Sequence, residues 1–174
     1  MTPAAFEMRW DRFANPPRGG FFVAVVFEWS AASNGQGKAD SAVWNYLWVM
    51  IGSALGGGAR YWFSGVVADR IGETFPWGTL FINIIGSLVI GFFATVTGPD
   101  GRFLVGTTAR QFVMIGICGG FTTFSAFSLQ TLNLARDGEW FRAGAYIASS
   151  IVFCLLAVWL GHVAAMILNQ PRGA

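Results

Sequence analysis

The chain has 174 residues, of which 54% are hydrophobic and only 11% are charged, with a formal net charge of +2. Its mean hydropathy is +0.53, whereas soluble domains carry about 25% charged residues. This composition excludes an ordinary soluble domain, and the small, scattered positive charge offers no basic patch for nucleic acid. Cys118 and Cys154 have neither metal-ligand spacing nor a disulfide framework, so we interpret them as small apolar packing residues.

Residues 1–40 differ from the rest of the chain. They contain charges of both signs, and their only apolar run, residues 21–27, is too short to cross a membrane. That run also lacks the length and the small-residue cleavage site of a signal peptide. We predict a mobile or interfacial extension at 1–40, followed by a transmembrane domain at 41–174.

Four uncharged windows follow residue 40. They cover residues 41–59, 74–99, 111–135 and 143–171. A helix needs about 20 mainly apolar residues to cross the hydrocarbon core, and each window has roughly that length or more. We therefore predict an all-α membrane protein with four transmembrane helices, at about 43–68, 77–97, 104–135 and 143–168.

The third window contains a sequence that disfavours a continuous helix. Residues 116–128 read GICGGFTTFSAFS, which combines three glycines, paired threonines and three phenylalanines. Backbone opened inside a membrane needs protein, water or an ion to satisfy its N–H and C=O groups. We predict that the third helix is broken mid-membrane near 119–123, and that this break marks a functional site.

The charges beside the four spans are nearly balanced between the two ends. Counted from residue 38 onward and without Arg60, one end has four basic residues and the other has three, which are Lys38, Arg102, Arg110 and Arg172 against Arg70, Arg136 and Arg142. The extension would add Arg9, Arg12 and Arg18 to the first end. Orientation follows the bias in lysine and arginine, so this weak bias permits insertion in both directions. It predicts a dual-topology chain and hence an antiparallel homodimer.

Small residues recur at a spacing of four within the spans. The pairs are Gly52 with Gly56, Ser53 with Gly57, and Gly116 with Gly120. Such spacing lets helices approach closely in lipid. It favours close helix packing and an oligomer.

The polar residues at membrane depth are almost all neutral donors. No Asp or Glu falls inside any window, and the candidates are Asn83, Ser87, Thr122, Thr123, Ser125, Ser128, Tyr146, Ser149 and Ser150. Amide and hydroxyl groups can donate hydrogen bonds to a small anion. Arg60, near the end of the first window, is a fixed positive charge that would raise the local anion concentration.

Two aromatic residues follow the predicted break on one helix face. Phe124 and Phe127 are three residues apart, and an aromatic ring has a positive edge that attracts an anion. The alternative is that these rings pack against lipid or a neighbouring helix. Asn83 has a similar alternative, because a single asparagine often forms an interhelical hydrogen bond. For His162, near the end of the fourth span, we favour a structural role.

Three segments together resemble a known family. They are residues 56–61 (GGGARY), 78–87 (GTLFINIIGS) and 116–128, and in order and spacing they are similar to the motifs of the Fluc (CrcB-type) fluoride channels. The resemblance covers about residues 43–168. It implies a passive, selective channel that exports F⁻ across the cytoplasmic (inner) membrane and so relieves fluoride toxicity. It also implies a dual-topology homodimer with two antiparallel pores in lipid.

The same resemblance implies roles for individual residues. A structural Na⁺ at the dimer centre would be held by backbone carbonyls of Gly119 and Thr122. The anion path would be lined by Phe124, Phe127, Asn83, Ser125 and Thr123, by a polar track at Tyr146 and Ser150, and by Arg60 near the vestibule. The chain departs from the family at Ala126, where threonine is common, and at Cys154 and Val158, which do not continue the polar track.

Two other functions remain open from the sequence. A small proton-coupled carrier would normally keep an intramembrane carboxylate, and the windows contain none. A helical scaffold would use its polar groups only to join helices and would carry no ion. An enzyme is disfavoured, because no acid, base, nucleophile and metal constellation assembles.

Overall fold

The structure is a computed structural model, and it describes residues 37–99 and 101–170, with side chains from residue 43 onward. The chain divides into two units, Met1–Ala42 and Val43–Ala174, and every predicted site residue belongs to the second. The predicted extension at 1–40 lies outside the described residues, except that residues 37–40 form the beginning of the first helix.

The described part of the chain is helical. We label the helices α1 (Gly37–Ile71), α2 (Trp77–Val96), α3 (residues 107–121), α4 (Phe124–Arg136) and α5 (Trp140–Asn169). Within α3, the segment Phe112–Cys118 is π-helical and lies between two short α-helical pieces. Helices α3 and α4 belong to one apolar stretch, and only Thr122 and Thr123 between them are extended. The predicted break of the third helix is therefore present.

Three segments of the described chain are long and apolar enough to cross a membrane. They are α2, the stretch Thr107–Arg136 that contains α3 and α4, and α5, which supports a multi-pass membrane protein. Helix α1 has 35 residues, but its glycines, Asn45 and Arg60 lower its mean hydropathy. The prediction of four spans is thus confirmed for three, and the first span stays a prediction.

Two glycines with positive φ end helices at one side of the bundle. Gly72 follows α1 with φ of 87°, and its amide donates to the carbonyl of Ala68 at 2.9 Å. Gly138 follows α4 with φ of 81°, and its amide donates to Ala135 at 3.2 Å. A residue without Cβ takes this left-handed conformation at little cost. Both chain reversals therefore need few residues.

The predicted small-residue spacing produces a close contact between α1 and α3. A Cβ added to Gly52 would lie 2.7 Å from the Phe112 carbonyl oxygen, and one added to Gly116 would lie 3.0 Å from the Gly52 Cα. Gly56 and Gly120 meet the opposite backbone just as closely. The two backbones are therefore in contact, as expected for small residues one turn apart.

A second glycine contact joins α2 to α5. A Cβ on Gly91 would meet the backbone of Val158, and one on Gly161 would lie 2.8 Å from the Phe92 amide nitrogen. This pair was not predicted from the sequence, although Ser87 with Gly91 and Ala157 with Gly161 have the same spacing of four. Together, the two glycine contacts hold α1 against α3 and α2 against α5, which positions the break between them.

Candidate functional site

The amide side chain of Asn83 bonds to both the backbone amide and the backbone carbonyl of Thr123. The Thr123 amide, which a continuous helix would direct to the Gly119 carbonyl, donates instead to Asn83 Oδ1 at 2.8 Å. In return, Asn83 Nδ2 donates to the Thr123 carbonyl at 3.2 Å. This pair of bonds from α2 replaces bonds that the broken helix loses, which membrane-embedded backbone requires. The interhelical role considered for Asn83 is therefore present.

Thr122 is held by its own helix and by α1. Its amide and its Oγ1 each donate to the Cys118 carbonyl at 2.9 Å. Its own carbonyl accepts a long hydrogen bond of 3.5 Å from Arg60 Nη1. Gly86 of α2 lies directly beneath it, since a Cβ there would overlap the Thr122 Cγ2 atom. The sequence placed Arg60 near the vestibule, and the structure places its guanidinium at the break.

Thr123 also begins helix α4. Its Oγ1 accepts from the Ala126 amide at 3.2 Å, which is the bond of a helix N-cap. The same hydroxyl lies 3.2 Å from Ser125 Oγ. Thr123 and Ser125 therefore interact with each other, and the short turn between α3 and α4 is closed by side chains as well as by Asn83.

A cavity of about 460 Å³ lies beside the break. It is bordered by α2, α3, α4 and α5. Seven predicted residues line it, namely Asn83, Gly119, Thr122, Thr123, Phe124, Phe127 and Ser150. The remaining three predicted residues, Arg60, Ser125 and Tyr146, are not among its lining residues. The structure thus brings most of the predicted site to one place.

The two phenylalanines of the site lie together at the cavity. The ring centroids of Phe124 and Phe127 are 5.3 Å apart at a tilted angle. Phe124 is 78% exposed in the isolated subunit, although it is a large apolar residue next to a cavity. A ring exposed to this extent has most of its surface available to a ligand, to lipid or to another chain.

Ser150 carries an unpaired hydroxyl at the cavity. The residue is only 7% exposed, and its Oγ has no hydrogen-bond partner among the described residues. In a buried hydroxyl without a partner, no hydrogen bond offsets the free-energy penalty of desolvation, and such groups are rare in native structures. The position of Ser150 on the cavity wall makes a bound ligand the natural partner for this hydroxyl.

Tyr146 is fully buried between two cavities. Its hydroxyl donates to Gln130 Oε1 at 3.0 Å, and its ring lies 5.1 Å from that of Phe127 and 5.5 Å from that of Phe75. Gln130 lines an outer cavity of about 640 Å³. Gln130 was not predicted from the sequence, although an uncharged amide one turn after Phe127 was a usable signal.

The outer cavity carries both signs of charge. Its lining includes Glu73, Asp137, Glu139 and Arg142 at the ends of the helices. Arg142 Nη1 pairs with Glu139 Oε1 at 3.3 Å, but both side chains are about half exposed. An ion pair of this kind contributes little to stability. All these charged groups lie outside the four windows predicted as spans.

His162 forms a hydrogen bond that accounts for its position. Thr95 Oγ1 donates to the Gly91 carbonyl at 2.9 Å, so its single proton is already used. Thr95 Oγ1 also lies 2.7 Å from His162 Nδ1, so the two side chains share a hydrogen bond. This bond joins α2 to α5 and supports the structural role predicted for His162.

The break contains a backbone oxygen of the ligand type that hard cations prefer. No group of three or more His, Cys, Asp or Glu side chains gathers within residues 43–99 and 101–170. The Gly119 carbonyl has lost the Thr123 amide to Asn83, which leaves a backbone oxygen available as a ligand. Carbonyl oxygens are the ligand type that hard cations prefer.

Comparison with known proteins identifies the family. A family model described as CrcB-like protein, Camphor Resistance (CrcB), matches residues 47–162. The chain belongs to the CrcB-like family. The matched range of the family model contains every predicted site residue, from Arg60 to Ser150, together with Gln130, and it begins after the extension at 1–40.

Curated relatives of this CrcB-like chain carry one name. A "Fluoride-specific ion channel FluC" from Methylocella silvestris is 67% identical over 130 residues, which cover 75% of this chain and 99% of the relative. Proteins of the same name from Opitutus terrae and Rhodospirillum rubrum are 61% and 59% identical. Those alignments cover 74% and 72% of this chain, and 98% and 97% of the relatives. The CrcB-like region thus accounts for nearly the whole length of each relative.

Proposed function

We propose that this chain is a fluoride-specific passive channel that exports F⁻ across the cytoplasmic membrane and thereby limits fluoride toxicity. The observation that carries the proposal is the cavity beside the break, where the unpaired Ser150 hydroxyl and the Phe124–Phe127 pair meet. The curated relatives are named as fluoride-specific ion channels, which supports the same proposal.

Neutral groups of the cavity would replace the water around a small anion. Ser150 Oγ is free to donate, and Asn83 Nδ2 has a second hydrogen beyond the one given to Thr123. The positive ring edges of Phe124 and Phe127 supply a weakly attractive, dry surface. No charged side chain lines this cavity, so the ion is never bound too tightly to leave, as conduction requires.

The proposed channel works as an antiparallel, dual-topology homodimer. Phe124, at 78% exposure, is a pore residue that a single subunit leaves uncovered, and a second copy packed against α4 would complete the wall. The near balance of basic residues at the two ends allows the partner to insert in the opposite orientation. Two copies related in this way would give two pores.

We also propose that a structural Na⁺ is held at the break by backbone carbonyls of Gly119 and Thr122, with the second subunit supplying the same groups. The Gly119 carbonyl fits this role, because its helical partner amide is bonded to Asn83. The Thr122 carbonyl already accepts a hydrogen bond from Arg60 at 3.5 Å, so the Gly119 carbonyl would be the stronger ligand. When bound, Na⁺ supplies a fixed positive charge close to the anion path.

An efflux measurement tests the proposed function. Purified protein is reconstituted into liposomes loaded with either KF or KCl, and the anion released after a K⁺ ionophore is added is followed with ion-selective electrodes. We expect rapid F⁻ release and Cl⁻ release no faster than from protein-free liposomes. Equal rates for the two anions would refute the proposal.

The same liposome preparation distinguishes the proposed channel from a proton-coupled carrier. Carrier-mediated flux would saturate with F⁻ concentration and would follow an imposed pH gradient. We expect neither behaviour, since the acidic side chains of the described α1–α5 segments lie near helix ends and outside the inner cavity. A flux driven by the pH gradient alone would favour the carrier.

A further inference from the structure

Both cysteines of the chain line the inner cavity. Cys118 comes from α3 and Cys154 from α5, and both are free thiols. Cys118 is only 3% exposed, whereas Cys154 is of intermediate exposure. Besides their role in packing, both cysteines thus border the space in which the proposed ion moves.

Cys154 lies close to the unpaired hydroxyl of Ser150. It lies four residues after Ser150 on α5, and residues at this spacing are neighbours on one helix face. The Ser150 hydroxyl is more than nine-tenths buried and unpartnered within the described chain. Ser87 of α2 and Phe127 of α4 border the same space. A ligand moving along α5 from Ser150 would meet the thiol of Cys154 next.

We propose that Cys154 is a binding site for a thiophilic metal ion, and that metal bound there closes the anion path. The inference rests on the proposed channel function. Sulfur ligands select soft metals over the hard cations that carbonyl oxygens hold. With mercuric chloride, an S–Hg bond replaces the S–H bond and one Hg–Cl bond, releasing one proton and one chloride and leaving Cys154–S–HgCl. No oxidant or reductant is needed.

Bound mercury would obstruct the cavity in two ways. The Hg–Cl group fills space that the ion needs between Cys154 and the Phe124–Phe127 pair. It also covers the face of α5 that carries the Ser150 hydroxyl, which is the free donor of the site. Neutral mercuric chloride can enter a cavity whose lining is largely apolar more readily than a hydrated cation can.

The test uses the full-length protein in liposomes, with each variant compared with its own untreated rate. Wild type, Cys154→Ser and Cys118→Ser are assayed for F⁻ release before and after mercuric chloride, and again after dithiothreitol. We expect mercury to reduce the wild-type and Cys118→Ser rates to that of protein-free liposomes, with recovery in dithiothreitol. We expect Cys154→Ser to keep its untreated rate. Intact-mass measurement should show mercury on Cys118→Ser protein through Cys154.

The outcomes separate this inference from the channel function. If untreated wild type releases no F⁻, the proposed function fails. If wild type releases F⁻ and mercury leaves the rate unchanged, the metal site at Cys154 is wrong. The site is also wrong if Cys154→Ser is blocked as strongly as wild type, because the metal would then act elsewhere.

Discussion

At the residue scale, the broken helix is satisfied by side chains that the family resemblance places on the anion path. Asn83 exchanges two hydrogen bonds with the Thr123 peptide unit, and Arg60 reaches the Thr122 carbonyl. Both residues therefore hold the backbone, and the Asn83 amide retains one hydrogen for an ion. A substitution at either position would affect folding as well as conduction.

Asn83→Ala removes both bonds to Thr123 and leaves a buried amide and carbonyl unpaired. We expect a loss of about 1–3 kcal/mol in the free energy of unfolding, the usual cost of an orphaned buried group. Thermal or denaturant unfolding in detergent measures the loss. Asn133→Ala on α4 is the matched control, because Asn133 is exposed and the same substitution there should change stability little. Equal losses of stability in the two variants would argue against a stabilising role for the hydrogen bonds between Asn83 and Thr123.

Phe124→Ile and Phe127→Ile retain apolar bulk but remove the positive ring edges from the cavity. We expect each to slow F⁻ release while the protein elutes from gel filtration as wild type does. Phe141→Ile, at a residue 88% exposed and outside the cavity lining, provides the same chemical change as a control. If both cavity variants conduct at the wild-type rate, the rings do not line the path.

At the element scale, the π-helical segment and the glycine contacts together determine how α3 reaches the break. The segment Phe112–Cys118 is π-helical, and insertions of this kind often occur at functional sites. Gly116 and Gly120 press this part of α3 against Gly52 and Ser53 of α1. The irregular helix is thus supported along one side by direct backbone contact.

Gly56→Ala tests this support. A Cβ on Gly56 would lie 2.8 Å from the Phe121 amide nitrogen, so the helices must separate. We expect a loss of about 1–3 kcal/mol, typical of overpacking. Gly65→Ala on the same helix meets nothing within 4 Å among the described residues, and better helix propensity there should contribute about 1 kcal/mol or less. A stable Gly56→Ala protein with unchanged flux would contradict the contact.

At the scale of the whole molecule, one subunit leaves its proposed site open. Large apolar residues are exposed at both ends and along the helices, including Phe124 at 78% and Leu104 at 92%. Lipid can cover many of them, but an anion path open to lipid would not conduct. The proposed antiparallel partner resolves this difficulty, and the balanced charge of the chain makes either orientation accessible.

Two charge variants test the dual topology. Phe103→Lys with Leu104→Lys adds basic charge at one end of the bundle, and Trp140→Lys with Phe141→Lys adds it at the other, all at exposed positions. Because basic residues favour the cytoplasmic side, each variant alone should insert in one orientation and lose most of its F⁻ flux. Co-expression of the two should restore flux. Full flux from a single variant whose orientation is uniform would exclude an antiparallel dimer.

Prediction from sequence succeeded where one local pattern decides the structure. The uncharged windows located the apolar helices, the glycine and threonine cluster located the break, and the spacing of Gly52, Gly56, Gly116 and Gly120 predicted a close contact that the structure contains. These features depend on residues close together in the chain. A window of composition or a spacing of four is enough to recognise them.

Pairings between distant residues were not accessible in the same way. The sequence does not specify that Tyr146 pairs with Gln130, or that Gly161 meets α2 near Phe92. The bond from Arg60 to the Thr122 carbonyl was not predicted either, because the sequence shows only that Arg60 lies near the end of the first window. Such contacts follow from helix packing, which one sequence does not specify.

The partners of the broken backbone have an order in the chain that bears on how the protein is made. Arg60, Asn83 and Cys118 supply the bonds to Thr122 and Thr123, and all three precede the break. Because chains are synthesised from the N-terminus, each of these groups leaves the ribosome before the opened peptide units do. The opened backbone at Thr122 and Thr123 therefore does not depend on α5 for its hydrogen bonds. A nascent chain stalled just after α4 would already contain every described residue that bonds to these two threonines.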